Sequence, residues 1–301
     1  MPTETCLLGF ADYREQARRL ATNAGLEYAE IELHRFPDGE SKLLLPTALP
    51  EQLVICRTLD HPNGKLIELM LAADAAREQG VKRVILVAPY LCYMRQDKAF
   101  RPGEVVSQKL IGAFLARHFD AVITVDAHLH RISRLSQAIP LEHAHNLSAA
   151  EALGHFIREN CARPVLVGPD AESEQWVAAI AAHDRLDYCI AQKRRRGDRE
   201  VEVSLPEFDY RGCDIVLVDD VASTGTTLEM AAAGLRGRGA ASISVLVTHP
   251  LFVGDACARL EAAGIENIWS CDSIQHESNR VSLATLLADG LQGLLAELPA
   301  N

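Results

Sequence analysis

The feature of this sequence that most limits its fold is an alternation of short apolar segments with longer amphipathic ones. Several short segments are apolar at every position, as expected for strands of a sheet buried on both faces. The longer segments have helical spacing, and many end at or near a glycine, as helix C-caps do. This alternation predicts α/β sheets that are mainly parallel. The predicted strands are 5–10, 52–59, 83–89, 121–127, 164–170, 187–194, 214–220 and 242–250.

The chain has 301 residues, enough for two domains of about 150 residues each. A coarse repeat supports two domains, because in each half a helix ending in glycine leads into an apolar strand. We predict domains at 1–147 and 148–301, divided where a new helix follows a good N-cap, with the last helix able to pack back on the first domain. The predicted helices are 13–25, 64–80, 107–119, 148–160, 175–183 and 227–239.

Composition excludes several classes of protein. A net charge of -11 argues against non-specific binding of nucleic acid. The eight cysteines form no Cys-x-x-Cys pair, which favours reduced, buried thiols over disulfides or zinc. The N-terminus lacks the pattern of a signal peptide, and the strongest apolar run, 84–94, is too short to span a membrane. These features predict a cytoplasmic protein.

The stretch VDDVASTGTTLEM at 218–230 ends a predicted strand with two carboxylates and continues into a loop before a helix. Free N–H groups at a helix N-terminus favour an anion, and the hydroxyls add donors. The stretch lacks the Gly-x4-Gly-Lys pattern of a P-loop. A sugar phosphate explains both parts, with Asp219 accepting hydrogen bonds from two ribose hydroxyls while the loop holds the 5-phosphate. The alternative is a strand-to-helix turn capped by serine or threonine.

This stretch resembles the phosphoribosyl diphosphate-binding signature shared by phosphoribosyltransferases and phosphoribosyl diphosphate synthetases. Further motifs resemble the synthetase, or ribose-phosphate diphosphokinase, family in the same order across essentially the whole chain. They are FPDGE (36–40), RQD (95–97), VDAHLH (125–130), NLSAAE (146–151), QKRRRGDREVEV (192–203) and the tail CDSIQHESNRVS (271–282). The resemblance implies two similar phosphoribosyltransferase-like domains, each a mainly parallel sheet flanked by helices. The first would carry the ATP-side motifs and the second the ribose 5-phosphate loop.

The resemblance also implies roles for particular residues. Phe36 would stack near adenine, and Arg95 suits bidentate contact with phosphate. The ATP-binding residues would be Phe36, Asp38, Glu40, Arg95, Gln96 and Asp97, and the ribose 5-phosphate-binding residues Asp219, Asp220, Ser223, Thr224, Gly225, Thr226 and Thr227. Without the resemblance, FPDGE reads as a plain hairpin turn and 98–104 as a solvated charged loop.

By the same resemblance, His128 and Asp170 would bind Mg²⁺, which prefers oxygen ligands and retained waters. Lys193 and Arg195 would be the catalytic cations, because phosphoryl-type transfer depends on positioning and on positive charge at the developing oxyanions. An extra arginine leaves a register ambiguity in which Arg196 shares this role. The family's ATP sites lie between subunits, so self-association to a dimer or larger assembly is implied.

One segment departs from the family pattern. After Asp170 the expected sequence is Asp-x-Gly-Gly with an arginine two residues later, but this chain has Ala-Glu-Ser-Glu-Gln-Trp at 171–176. Loss of both glycines removes backbone freedom, and two added carboxylates would repel an anionic diphosphate unless they bind metal or point away.

We therefore predict a Mg²⁺-dependent ribose-phosphate diphosphokinase that converts ATP and ribose 5-phosphate to phosphoribosyl diphosphate and AMP. Two alternatives stay open. One is a phosphoribosyltransferase, against which the ATP-side motifs and the doubled domain count. The other is a catalytically silent relative that binds or regulates an active synthetase, which the altered 171–176 segment favours.

Overall fold

A computed structural model of the chain describes residues 5–196 and 200–298, except for the side chains of 193–203. The chain divides into a first unit, residues 1–147 with 283–301, and a second unit, residues 148–282. Each unit has its own sheet and its own apolar core.

The helices and strands form two groups along the chain. The first group is β1 (Thr5–Phe10), α1 (Arg14–Ala24), β2 (Glu27–Arg35), β3 (Ser41–Leu44), β4 (Gln52–Cys56), α2 (Pro62–Glu78), β5 (Arg83–Val87), α3 (Ser107–His118), β6 (Ala121–Val125) and β7 (His143–Leu147). The second is α4 (Ala150–Asn160), β8 (Pro164–Gly168), α5 (Glu174–Asp184), β9 (Asp187–Ile190), β10 (Gln192–Arg196), β11 (Glu200–Ser204), β12 (Asp214–Ala222), α6 (Thr226–Leu235), β13 (Ser242–Pro250), α7 (Ala256–Ala262), β14 (Asn267–Cys271), β15 (Asn279–Val281) and α8 (Ala284–Glu297).

The first unit is built on a seven-stranded sheet in the order β3-β2-β1-β4-β5-β6-β7. Only the β2–β3 pair is antiparallel. Every residue of β1, β4 and β6 is buried, which explains their apolar sequence without alternation. The parallel strands end at one common edge of the sheet, so their following loops are brought together there.

Helix α8 belongs to the first unit although it ends the chain. Its buried residues include Leu287, Leu291 and Leu294, and the helix packs against α1, β6 and β7. The carbonyl of Leu298 accepts a hydrogen bond from Gln52 Nε2 at 2.9 Å. Apolar packing and this polar contact fix the C-terminal segment on the first unit.

The second unit is built on a six-stranded, fully parallel sheet in the order β15-β14-β13-β12-β8-β9. Its long central strands, β12 and β13, pair from Asp214 opposite Ser242 to Ala222 opposite Pro250. Strands β10 and β11 form a separate antiparallel hairpin. The predicted fold class, α/β with mainly parallel sheets flanked by helices, is confirmed.

The structure corrects one predicted strand and adds others. The segment 187–194 is not one strand, because the chain leaves the parallel sheet at Ala191 and continues into the hairpin strand β10. Strands β2, β3, β7, β11, β14 and β15 were not predicted. β11 belongs to the separate hairpin, and the other five lie toward the margins of their sheets, where polar residues interrupt the apolar pattern. Among the described residues, none of the helices combines the length and apolarity needed to cross a membrane.

Candidate functional site

The loop after β12 presents a helix N-terminus to solvent. Gly225 is the N-cap of α6 and has a left-handed φ of 71°, a conformation that costs glycine little. The first intrahelical hydrogen bond of α6 joins the N–H of Glu229 to the carbonyl of Gly225, at 2.9 Å. The N–H groups of the first turn precede that bond and are available to an anion. Thr224 and Thr226 lie at the surface and place their hydroxyl oxygens 3.2 Å apart.

Arg259 of α7 fixes the position of this loop. Its Nη2 donates to the carbonyl of Thr224, its Nη1 lies 3.2 Å from a carboxylate oxygen of Glu229, and its Nε lies 3.2 Å from Asp255. The arginine thereby joins α7 to the loop and to α6 at once. Sequence inspection did not single out Arg259, because no motif includes it.

Three carboxylates gather at the carboxyl edge of the second sheet. Asp219 and Asp220 lie near the end of β12, and Asp170 follows the neighbouring strand β8. Burial, together with the negative charges of Asp220 and Asp170, raises the pKa of Asp219 well above its ordinary value. Like charges packed in this way are stabilised by a bound cation or by hydrogen-bond donors of a ligand.

The unusual segment 171–176 forms a turn that does not require glycine. None of its residues is among the described positions with left-handed φ. The carboxylate of Asp170 accepts the N–H of Glu172 at 3.0 Å, and buried Ser173 donates its hydroxyl to the Asp170 carbonyl at 2.6 Å. Glu172 and Glu174 are exposed, and Glu174 begins α5. The substitutions therefore replace backbone freedom with a fixed turn beside Asp170.

The FPDGE motif forms the turn of the β2–β3 hairpin, and its contacts with ATP stay a prediction. The N–H of Phe36 donates to the carbonyl of Glu40 at 2.8 Å, and Asp38 accepts the N–H of Glu40 at 3.1 Å. Gly39 has a left-handed φ of 96°. The Phe36 side chain is 41% exposed, which leaves an aromatic face open at the tip.

Buried charges fix the base of this hairpin. Glu68 of α2 accepts hydrogen bonds from Ser41 at 2.8 Å and from Arg35 at 3.2 Å, and it lies 2.7 Å from buried Arg57. Although burial opposes ionisation, these hydrogen bonds and the charge of Arg57 lower the pKa of Glu68. The charged network anchors the hairpin to α2 while leaving its tip exposed.

The RQD motif lies in the loop after β5, which a carboxylate holds in shape. Glu104 accepts the N–H groups of Phe100 and Arg101 at 2.6 and 3.0 Å and the side-chain amide of Gln96 at 3.0 Å. Those bonds lower the pKa of Glu104, the Phe100 N–H being the largest cause. Arg95 projects as an exposed residue.

Asp97 joins this loop to the one after β6. Its Oδ1 accepts a hydrogen bond from Arg131 at 2.5 Å, and the Asp97 side chain is almost fully buried. Its Oδ2 is buried and has no hydrogen-bond partner among the described residues. Asp97 therefore supports the loop that carries Arg95 and Gln96. Arg131 was not anticipated from the sequence.

His128 lies in the loop after β6, next to a second histidine. The Nε2 atoms of His128 and His130 are 2.7 Å apart, so a proton or a cation must separate their lone pairs. The loop is fixed from β7, where Asn146 Oδ1 accepts the N–H of Ala127 and the Leu147 carbonyl accepts that of Asp126. Asn146 belongs to the NLSAAE motif, so the structure gives that motif a positioning role.

Lys193 and Arg195 lie on β10, opposite Val203 and Val201 of β11. Their side chains are outside the described part of the structure, so their predicted role is untested. Arg194 and Arg196 lie opposite Glu202 and Glu200.

Comparisons with known proteins point to one family. Residues 5–118 match the model for the N-terminal domain of ribose phosphate pyrophosphokinase, and residues 142–285 match that for the phosphoribosyl transferase domain. The chain is 36% identical over 281 residues to a ribose-phosphate pyrophosphokinase of Methanopyrus kandleri, covering 92% of this chain and 95% of that protein. A ribose-phosphate pyrophosphokinase of Thermococcus kodakarensis is 32% identical over 261 residues, which cover 87% and 91% of the two chains.

A solved structure supports the same fold. The crystal structure of phosphoribosylpyrophosphate synthetase from Mycobacterium smegmatis matches with a TM-score of 0.81 at 22% identity, covering 98% of this chain and 100% of that one.

Proposed function

The chain belongs to the ribose-phosphate pyrophosphokinase family, and we propose that it transfers the diphosphate of ATP to the 1-hydroxyl of ribose 5-phosphate. The 1-hydroxyl oxygen attacks the β-phosphorus, the bond from that phosphorus to the α,β-bridging oxygen breaks, and AMP leaves as phosphoribosyl diphosphate forms. The proton of the hydroxyl is released to solvent. The observation that carries this proposal is the pair of acids, half-buried Asp219 and buried Asp220, beside an open helix N-terminus at the end of β12, in a chain of this family.

We assign ribose 5-phosphate to the second unit. The 5-phosphate would accept hydrogen bonds from the first-turn N–H groups of α6 and from the loop hydroxyls. The ribose hydroxyls would donate to Asp219 and Asp220, which offsets the repulsion that raises the pKa of Asp219. The residues of this site are Asp219, Asp220, Ser223, Thr224, Gly225, Thr226 and Thr227.

We assign ATP to the first unit, where two motifs follow strands that end at the same edge of the sheet. Exposed Phe36 would stack on adenine, and the carboxylates at the hairpin tip would accept from its amino group. Exposed Arg95 would bind phosphate oxygens in bidentate geometry. The ATP-binding residues are Phe36, Asp38, Glu40, Arg95, Gln96 and Asp97, with Asp97 acting through its contact to Arg131.

The donor set fits a magnesium ion in the second unit. Asp170, Asp219 and Asp220 offer the oxygen ligands that Mg²⁺ prefers, and their mutual repulsion is what a divalent cation relieves. We assign Asp170 of the second unit and His128 of the first unit as metal-binding residues. When bound, Mg²⁺ neutralises charge on the phosphate oxygens.

We assign the catalytic cations to Lys193 and Arg195 of β10. Transfer of a phosphoryl-type group depends on in-line positioning and on positive charge beside the oxygens that become negative. Both residues supply that charge without forming a covalent intermediate, so their removal should affect turnover more than substrate binding.

We further propose that the protein self-associates in the cytoplasm, with the ATP site completed between subunits. The first unit exposes apolar side chains on two helices, Ile67 and Leu71 on α2 and Leu110 on α3. These three are 51%, 40% and 61% exposed, more than a solvent-facing surface favours.

One assay tests the reaction. The protein is incubated with ATP, Mg²⁺ and ribose 5-phosphate, and nucleotides are separated by chromatography. We expect AMP that forms only when the sugar phosphate is present, in equal amount to phosphoribosyl diphosphate. ADP in place of AMP, or AMP without the sugar, would contradict the proposal. Pyrophosphate release from phosphoribosyl diphosphate and a nucleobase would instead indicate a phosphoribosyltransferase.

The segment 171–176 favours a second candidate, a catalytically silent member of the family that binds substrates or an active partner. Its fixed turn adds Glu172 and Glu174 beside Asp170, where an anionic diphosphate would be repelled. This candidate predicts that ATP and ribose 5-phosphate bind measurably by calorimetry while no AMP forms.

Arg259→Lys should raise the KM for ribose 5-phosphate about tenfold, because a lysine cannot bind the Thr224 carbonyl, Glu229 and Asp255 together. Steady-state AMP formation at varied sugar phosphate measures this, and the KM for ATP should change less than about twofold. The matched control is Arg236→Lys, whose arginine donates to the Ala262 carbonyl at 2.7 Å in the same unit. Equal KM values in both variants would contradict a positioning role for Arg259.

A further inference from the structure

We propose that the first unit carries a second metal site, for a divalent transition metal such as Zn²⁺, formed by His143, His145 and Glu297. One ring nitrogen of each histidine and a carboxylate oxygen of Glu297 lie within 4.8 Å of one another. The cluster lies outside every motif assigned to ATP or ribose 5-phosphate.

Backbone geometry puts the two histidines on one face. They occupy alternate positions of the edge strand β7, opposite Ala121 and Ile123 of β6, and alternate residues of a strand share a face. Their rings are nearly parallel, with 17° between the planes and 6.2 Å between centroids. Glu297 reaches them from the last turn of α8, which contacts β7.

The spacing fits tetrahedral coordination. His143 Nδ1 lies 3.4 Å from Glu297 Oε2. Two ligands of a tetrahedral zinc ion with bonds of about 2.1 Å are separated by about 3.4 Å. Two imidazoles, one carboxylate and a water form a donor set that suits zinc, whereas Mg²⁺ prefers oxygen alone.

An ion pair between His143 and Glu297 would explain that distance but not the second histidine. His145 Nε2 is buried and has no hydrogen-bond partner among the described residues. A buried ring nitrogen without a partner is costly in a folded protein, and a metal ion removes that cost. This nitrogen belongs to a residue of the same cluster, and a metal ion there would give it a partner.

A second cluster with possible metal ligands, formed by Cys257, His276 and Glu277, lies in the second unit. There His276 Nδ1 accepts the N–H of Ser278 at 3.1 Å and lies 2.8 Å from the Ser278 hydroxyl. Ser278 therefore gives His276 Nδ1 a partner, whereas His145 Nε2 has none among the described residues.

Metal bound here would join the edge strand β7 to the end of α8, and so would hold the C-terminal segment on the first unit. Binding to the folded protein alone stabilises it in proportion to the logarithm of the metal concentration. The site can therefore act as a metal-dependent clip on α8.

The test uses the full chain and Zn²⁺ as the probe. A His128→Ala, His130→Ala background removes the other histidine pair of the first unit. Competition with a chromophoric chelator should show one tightly bound Zn²⁺, and adding His145→Ala should weaken it at least about 100-fold. His155→Ala, on α4 of the second unit, is the matched control and should change nothing. Circular dichroism without metal verifies that each variant is folded.

A second measurement locates the metal. Zn²⁺ should slow amide hydrogen exchange in α8 of the background protein but not in its His145→Ala or Glu297→Ala variants. Equal Zn²⁺ stoichiometry and affinity with and without His145 would overturn the site. Full affinity after Glu297→Ala would overturn the clip.

Discussion

Replacing Asp219 by asparagine should abolish most activity while making the protein more stable. The variant loses the charged acceptor proposed for the ribose hydroxyls, so kcat/KM for ribose 5-phosphate should fall roughly 10²–10³-fold. It also loses a half-buried negative charge. Loss of solvation is the largest cause of the raised pKa of Asp219, and the charges of Asp220 and Asp170 add to it. The free energy of unfolding should therefore rise by about 1 kcal/mol at neutral pH. AMP formation and thermal unfolding measure the two effects.

The stability that Asp219→Asn gains depends on pH, in the direction set by the raised pKa of Asp219. The folded pKa of Asp219 lies above the unfolded one, so the wild-type protein loses stability as pH rises from the ordinary range of aspartate through the raised pKa. The variant does not lose stability in this way, because asparagine does not ionise. In metal-free protein with EDTA, the two should be equally stable near about pH 3 and diverge as pH rises.

Asp214→Asn is the matched control because it changes an acid at the other end of the same strand. Asp214 accepts the N–H groups of Ala162 and Arg163 at 2.9 and 3.0 Å and the Ser242 hydroxyl at 2.8 Å. These bonds lower its pKa, the Arg163 N–H first among them. Its stabilisation is present above the unfolded pKa and is lost as pH falls through the folded one, so the variant should be less stable by about 1 kcal/mol with activity unchanged. Loss of stability in Asp219→Asn as well would contradict a repulsive acid cluster.

The sequence predicted the central strands because burial on both faces leaves a continuous apolar run, as in β12 and β13. Edge strands were missed for the opposite reason. β7 reads His-Ala-His-Asn-Leu, a pattern without apolar alternation, and its place in the sheet depends on pairing with β6. Tertiary contacts, not local preference, make it a strand.

Some residues of the candidate site could likewise be predicted from the sequence, and others could not. Motif residues such as Gly225 and Asp219 were found because a left-handed N-cap and paired acids at a strand end leave a local pattern. Arg259 and Arg131 contact those motifs from elements distant in sequence. Such contacts arise only when the chain is folded, so no spacing in the sequence could indicate them.

Lys193→Ala should lower kcat about 10³-fold while the KM values and the fold change little. A cation beside the oxygens that become negative acts mainly in the transition state, so its loss appears in turnover. AMP formation at saturating ATP and ribose 5-phosphate measures the effect, and thermal unfolding tests the fold. AMP formation by Lys193→Ala near the wild-type rate would contradict the mechanism.

The pairing register of β10 and β11 allows the four basic residues of β10 to be compared with one another. Lys193 and Arg195 are two apart on β10 and lie opposite valines, whereas Arg194 and Arg196 lie opposite glutamates. In the strand register, Arg195, not Arg196, lies two positions from Lys193. Arg195→Ala should therefore lose turnover as Lys193→Ala does, while Arg194→Ala and Arg196→Ala stay within about threefold of wild type. A large loss of turnover in Arg196→Ala, with none in Arg195→Ala, would make Arg196 the second catalytic cation. That result would contradict the assignment of Arg195.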